Sequence, residues 1–306
     1  MFRIHSIAFF LTITRVSGNA NWVLQRLDKA RFPDAQCLDG SQGAFYVSPG
    51  SGANASNFVI HLQGGGWCTS LAGCAARAVG QDAYAGQPSI GGTGSWASSG
   101  CPPPAGSLAP VCVADGGDGG ALNDADAVNP DLAGYTKVFV GYCDGSSFAS
   151  DVAVPVVVNA TTTVFFRGRR ILDAVLETLV SDHGLAAAPR VLLKGCSAGG
   201  MAVFLHADRI GAWLRARNPA VNYAAFPGAG TILYMRNYNG GYTLDPQLQW
   251  MWTAGNMSGS ANQACVAAAS ASPHMCFYPQ VNLPFTKTPL FVSNSLADLA
   301  QVRLRL

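Results

Sequence analysis

A chain of 306 residues with 49% hydrophobic and only 12% charged residues can bury one large core, which excludes a disordered polypeptide and a coiled coil. The formal net charge of +2 is too small to gather phosphates, and no Lys/Arg cluster interleaves with aromatics, so nucleic acid is excluded as a partner. Nine cysteines without C-x-x-C pairs or grouped histidines point to disulfides and an oxidising compartment rather than to a metal.

In chain order, Arg3 precedes the apolar segment Ile4 to Ile13, and Val16-Ser17-Gly18 or Gly18-Asn19-Ala20 offers a small-residue cleavage site. Residues 1–20 therefore read as a signal peptide, with a partly apolar amino-terminal arm as the competing reading, and residues 21–306 as one domain. No other stretch reaches the roughly 18 apolar residues of a membrane span. Phe58 to Leu62 is the first expected strand, and Gln63-Gly64-Gly65-Gly66-Trp67 follows it directly. Bare glycine N–H groups after a strand can point into a pocket, so Gly65 and Gly66 are expected oxyanion donors. A phosphate loop is the competing idea, but no Lys-Ser/Thr pair follows. Residues 83–129 turn to Gly, Ser, Pro and Ala and read as a long loop-rich insertion.

Val138 to Val140 is the second expected strand. Val164 to Val180 is an expected crossover helix, with Ile171, Leu172, Val175, Leu176 and Leu179 at helical spacing. Val191 to Leu193 is the third strand and leads into Gly195-Cys196-Ser197-Ala198-Gly199, a G-x-S-x-G turn followed by an apolar helix. A serine on a sharp strand-to-helix turn needs neighbours without bulky side chains, and Gly195, Ala198, Gly199 and Gly200 meet that demand. Ser197 is thus the expected nucleophile and the N–H of Ala198 a third oxyanion donor, against the plainer reading of a glycine-rich turn that packs a helix on a sheet. Residues 230–257, with Tyr234, Tyr238, Tyr242, Trp250 and Trp252, line a substrate cleft or simply pack. Leu290 to Val292 is a fourth strand, and Asp298 beyond it is the candidate acid, with a helix N-cap as its alternative role. Short apolar strands alternating with helices imply an α/β fold with a mostly parallel central sheet flanked by helices.

The general base is missing from this pattern. In a Ser, acid, His order nothing after Asp298 is histidine, and His61, His183 and His206 sit in regular elements. Only His274, in a cysteine-flanked loop, is placed to swing in. Cys68/Cys74, Cys101/Cys112 and Cys265/Cys276 are close enough for local bridges, although Cys68 reaches Cys143 equally well. Cys196, held inside the turn, is the expected odd thiol, with a catalytic thiol as the bolder reading. Asn54-Ala55-Ser56, Asn159-Ala160-Thr161 and Asn256-Met257-Ser258 are glycosylation sequons.

Five blocks in order resemble the pectin acetylesterase/Notum family: Cys37-Leu38-Asp39-Gly40-Ser41, Leu62-Gln63-Gly64-Gly65-Gly66-Trp67-Cys68, Tyr142-Cys143-Asp144-Gly145-Ser146-Ser147-Phe148, Phe166-Arg167-Gly168-Arg169-Arg170-Ile171 and Gly195-Cys196-Ser197-Ala198-Gly199-Gly200. The resemblance implies a secreted, disulfide-bonded serine esterase of α/β-hydrolase-like fold, with Ser197 as nucleophile, Asp298 as acid and Gly65-Gly66 in the oxyanion loop. It implies no metal and no organic cofactor, an acetylated polysaccharide or other acyl ester as substrate, and more similarity to the plant enzymes than to the Notum branch, which removes fatty acyl groups from protein. Gln63 stands where the family has Glu, and Ala297 where it has an aromatic residue. The family's histidine lies beyond the acid with the final strand and helix, so the resemblance implies a C-terminally truncated chain of much reduced activity, or a catalytically dead binder of glycan or lipid.

Overall fold

The computed structural model describes residues 22–79, 122, 129–298 and 301–302. The signal-peptide reading of 1–20, nearly all of the 83–129 insertion, the Cys101/Cys112 pair and His5 lie outside the described residues. Among the described residues, eight strands and six α-helices follow in chain order: β1 (Val23–Arg26), β2 (Ala44–Ser48), β3 (Phe58–Leu62), α1 (Leu71–Ala78), β4 (Thr136–Val140), β5 (Val156–Val157), β6 (Thr163–Val164), α2 (Gly168–His183), β7 (Arg190–Cys196), α3 (Ala198–Arg217), β8 (Asn222–Gly228), α4 (Leu244–Ala254), α5 (Gln263–Ala268) and α6 (Pro279–Asn282).

Six strands form one sheet in the order β1-β2-β4-β3-β7-β8. β4, β3, β7 and β8 are parallel, whereas β1 and β2 are antiparallel at one edge. β3 is buried on both faces, as an inner parallel strand must be. Its Phe58, Ile60 and Leu62 face the core that holds Ile171, Leu172 and Val175 of α2 and Ala202, Val203 and Ile210 of α3. Val59 faces the other way, into a smaller cluster with Trp22, Tyr46 and Phe139.

Two expected elements differ from their sequence reading. α2 begins at Gly168 rather than 164, because Thr163–Val164 pair with Val156–Val157 as a short ribbon. The helix ends where Gly184 turns left-handed at φ 76°. The expected strand at 290–292 is present only as isolated parallel bridges, Leu290 to Ala225 and Ser293 to Gly228. Ala225 N–H donates to Pro289 O at 2.9 Å, Phe291 N–H to Ala225 O at 2.9 Å, and Ala229 N–H to Ser293 O at 2.7 Å. The donor that would join the bridges belongs to Pro227, which has no N–H, so the ladder is interrupted although its register continues.

Three disulfides are present among the described residues: Cys68–Cys74, Cys265–Cys276 and Cys37–Cys143. The first two are the local bridges expected; the third engages Cys143 and so rules out the Cys68–Cys143 pairing. Cys196 is a thiol outside all three. Cys37–Cys143 closes a span of 106 residues, for which loop-closure entropy gives on the order of 4 kcal/mol. Replacing both cysteines by serine is expected to lower the melting temperature by roughly 10 °C, read by thermal denaturation under non-reducing conditions.

Candidate active site

Ser197 occupies the single residue between β7 and α3, with φ 58° and ψ −122°. Its N–H donates to Gly228 O at 3.0 Å, its carbonyl accepts from Met201 N–H at 2.9 Å, and the residue is exposed. The turn is tight because the helix crosses the sheet edge without side chains in between. A Cβ on Gly195 would lie under 3.0 Å from Gly199 O, one on Gly199 under 3.0 Å from Leu62 O, and one on Gly200 under 3.0 Å from Gly228 O.

The structure brings the glycine loop onto this turn. Gly64 packs so closely that a Cβ there would stand 2.9 Å from Ser197 Cβ and against the Cys196 carbonyl. Gly65 and Gly66 have φ of 154° and 64°, which only glycine adopts without strain. Both carbonyls are held: Arg77 Nη2 donates to Gly65 O at 2.7 Å and Tyr142 Oη–H to Gly66 O at 2.8 Å. In a planar trans peptide the N–H points opposite to the C=O, so these bonds fix the N–H directions of Gly66 and Trp67. Trp67 Nε1–H donates to Ser147 Oγ at 2.7 Å, whose hydroxyl donates to Ala198 O at 2.7 Å, tying the loop to the first turn of α3. Gln63 is buried, and its Oε1 accepts from Tyr142 N–H at 3.0 Å, a role that needs an acceptor but no charge.

Beneath the loop, residues 144–148 form a buried, strained bend in which Ser147 and Phe148 both have φ 55°. The Asp144 carboxylate organises it, accepting from Ser146 N–H at 3.1 Å, Phe148 N–H at 3.0 Å and the Ser146 hydroxyl. Burial raises its pKa from 3.8 to about 6, against the lowering effect of those hydrogen bonds and of the Arg77 charge. Between these values the native state holds a proton that the unfolded chain releases, so this group's contribution to stability falls as pH rises from 3.8 to about 6. The fall is on the order of 3 kcal/mol. Asp144→Asn is expected to flatten it, as measured by urea denaturation at pH 4.5 and pH 7.

Asp298 lies half-buried after the 289–293 segment. Its Oδ1 accepts from Gln301 N–H at 3.3 Å and its Oδ2 from Gln301 Nε2 at 3.1 Å. Both bonds run from Gln301, three residues on, to the carboxylate, as at a helix N-cap, the alternative role the sequence offered. Gln301 also donates to Thr231 O at 2.9 Å, connecting this cap to the loop that leaves β8.

Each described histidine is engaged. His61 is buried and stacks on Phe139, 5.3 Å between centroids. His183 meets Gln25 Oε1 at 3.0 Å. His206 is buried, with Nε2 2.8 Å from Phe148 O and Nδ1 accepting from Arg209; burial, aided by the Arg209 charge, holds its pKa well below 6.5 and keeps it neutral. His274 Nε2 is 3.4 Å from Asp245 Oδ1, which also accepts from Tyr278 Oη–H at 3.0 Å.

The aromatic stretch divides. Tyr234 and Tyr242 stack with centroids 4.6 Å apart and line a pocket with Asn237, Asp245, Tyr278 and Gln301. Trp250 and Trp252 pack into hydrophobic clusters instead, and Tyr238 is exposed. Sequence reasoning missed Arg77, Tyr142 and Ser147; the first had no visible signal, and the other two lay inside a recognised block without an assigned task. Among the described residues no group of His, Cys, Asp or Glu could hold a metal ion, and no helix is long and apolar enough to cross a membrane.

A sheet in the order β1-β2-β4-β3-β7-β8 with an exposed, strained serine between β7 and α3 defines an α/β-hydrolase-like fold. The Wnt deacylase Notum from Drosophila (crystal form II) has the same fold, with a TM-score of 0.75 at 23% identity over 92% of this chain and 73% of that one. The chain belongs to the Pectinacetylesterase family, whose model matches residues 17–86 and 115–306. Pectin acetylesterase 7 of Arabidopsis thaliana is 32% identical over 94% of this chain, and pectin acetylesterase 11 of the same plant 30% over 90%. The palmitoleoyl-protein carboxylesterase NOTUM of Drosophila melanogaster is 25% identical over 94%. The chain spans 65% and 62% of the lengths of the two plant relatives and 39% of the fly protein.

Proposed function

We propose that this protein is a secreted serine carboxylesterase that removes acetyl groups from a pectin-like polysaccharide. The observation that carries the reading is the exposed Ser197 on a strained turn in contact with the Gly64–Trp67 loop. Ser197 attacks the ester carbonyl, the N–H groups of Gly65, Gly66 and Ala198 hold the oxyanion, the bond to the sugar oxygen breaks and the sugar leaves as its hydroxyl with the proton given up by Ser197, and water then hydrolyses the acyl-enzyme to acetate and free Ser197. The clamped carbonyls add Trp67 N–H to the available donors. Asp298 is the proposed acid, and the chemistry calls for no metal or cofactor. The names of the plant relatives support acetyl esters over a fatty acyl group. Secretion is supported by the three disulfides and by exposed Asn54, Asn159 and Asn256 at the sequons.

A second reading is favoured by the histidines, since His61, His183, His206 and His274 all have other partners. In it the chain keeps the fold and binds glycan or lipid without turnover. A fluorophosphonate probe separates the two, because phosphonylation needs an activated hydroxyl. Labelling at Ser197, with p-nitrophenyl acetate preferred over the octanoate by more than about tenfold, is the result expected of the esterase. A folded protein that takes no label leaves the binder, and a preference for long chains leaves the fatty-acyl esterase.

A further inference from the structure

Arg77 is the most conspicuous buried charge outside the serine turn. It is 1% exposed, on α1, a helix pinned by the Cys68–Cys74 disulfide and capped by Ser70. Burying a guanidinium costs several kcal/mol unless it is paired and hydrogen-bonded. Its surroundings supply such partners: Gly65 O at 2.7 Å, the face of the Tyr142 ring with Cζ 5.3 Å from the centroid, and the field of Asp144. A Cβ on Gly65 would meet Tyr142 Cδ1 at 3.1 Å and Arg77 Nη2 at 3.3 Å, so the loop lies directly on this pair.

We propose that Arg77 and Tyr142 are positioning residues of the esterase reaction, clamping the Gly65 and Gly66 carbonyls so that the N–H groups beyond them stay aimed for an oxyanion. The inference rests on the esterase reading above. Three glycines in a row admit the required backbone but do not hold it, since a glycine peptide reorients at little steric cost. Two consecutive carbonyl anchors remove that freedom before substrate arrives, which is the preorganisation that oxyanion stabilisation depends on. The guanidinium adds a second effect. A charge-assisted bond to Gly65 O polarises the Gly65–Gly66 peptide and makes the Gly66 N–H a stronger donor. Tyr142 joins the two anchors, because its ring carries the guanidinium and its hydroxyl carries Gly66 O while accepting from Ser147 N–H at 3.0 Å.

The test compares wild type, Tyr142→Phe, Arg77→Met and Arg77→Lys by kcat and KM on p-nitrophenyl acetate, with active sites counted by fluorophosphonate titration. The clamp predicts kcat lower by about tenfold for Tyr142→Phe and about a hundredfold for Arg77→Met, KM within about twofold of wild type, and partial recovery in Arg77→Lys. Unchanged kcat per titrated site in folded variants, whatever their melting temperature, overturns the proposal. If the Arg77 variants do not fold, the single-atom change Tyr142→Phe decides alone. If wild type turns nothing over, the esterase reading fails separately. The clamp is then decided by crystal structures of Tyr142→Phe: a rotated Gly66–Trp67 peptide supports it, and an unmoved one overturns it.

Discussion

Replacing Ser197 by glycine is expected to abolish probe labelling and lower ester turnover by at least about 10⁴-fold, while raising the stability of the same protein. The two effects have one cause. At φ 58° and ψ −122° a side-chain-bearing residue is strained, by roughly 1–3 kcal/mol at such positions. Glycine relieves that strain at an entropic cost of about 0.5–1 kcal/mol, so a net gain on the order of 1 kcal/mol is expected. Ser197→Ala is the control, because it keeps the Cβ and the strain and loses only the hydroxyl. It should lose labelling with its melting temperature nearly unchanged. Persistent labelling of Ser197→Ala would move the nucleophile elsewhere, with the neighbouring Cys196 thiol the first place to look. A drop in the stability of Ser197→Gly would show that the turn is not under strain.

The second large effect is structural. Gly199→Ala adds one carbon on α3, yet that carbon would sit under 3.0 Å from Leu62 O, 2.7 Å from Leu62 C and 2.8 Å from Gln63 O. These are backbone atoms of β3 and the start of the glycine loop, and they cannot yield as the end of a flexible side chain does. The helix must lift from the sheet, at a cost of about 3–5 kcal/mol. Against a total stability of about 5–15 kcal/mol the variant is expected to melt at least about 10 °C lower or to accumulate as insoluble protein. Gly184→Ala supplies the contrast. It has φ 76° but nothing within 4 Å of the added Cβ, so only the backbone cost of about 1–2 kcal/mol applies. Equal effects of the two substitutions would mean that close packing at the turn is not what requires glycine there.

Much of the architecture was legible because the inner strands carry their own signal. Phe58-Val59-Ile60-His61-Leu62 and Val191-Leu192-Leu193 are short apolar runs, and each stops where glycine takes over. β1, β2 and β8 of the main sheet were missed. β8 reads Asn222-Tyr223-Ala224-Ala225-Phe226-Pro227-Gly228, with no β-branched residue, two alanines at its centre and a proline inside it, and its pairing with β7 makes it a strand. The segment at 290–292 reads as a strand, but Pro227 on its partner withholds a bond that no local inspection of residues 290–292 reveals.

The sequence by itself determined the turn and what it must contain, since the need for small residues around a serine between strand and helix is a local steric matter. It also determined the family, and it offered Cys68/Cys74 and Cys265/Cys276 as local bridges while leaving Cys68/Cys143 open. What the tertiary structure decided is everything set by contacts between distant segments: that Gly64 rests on Ser197 across 133 residues, that Cys143 pairs with Cys37, and that Arg77 and Tyr142 hold the loop's carbonyls. Asp298 shows the boundary most clearly. Residue type and position allow both a catalytic acid and a helix cap; Gln301, which meets the carboxylate from three residues away, is itself held by its bond to Thr231 O, a contact across 70 residues that only the folded chain makes.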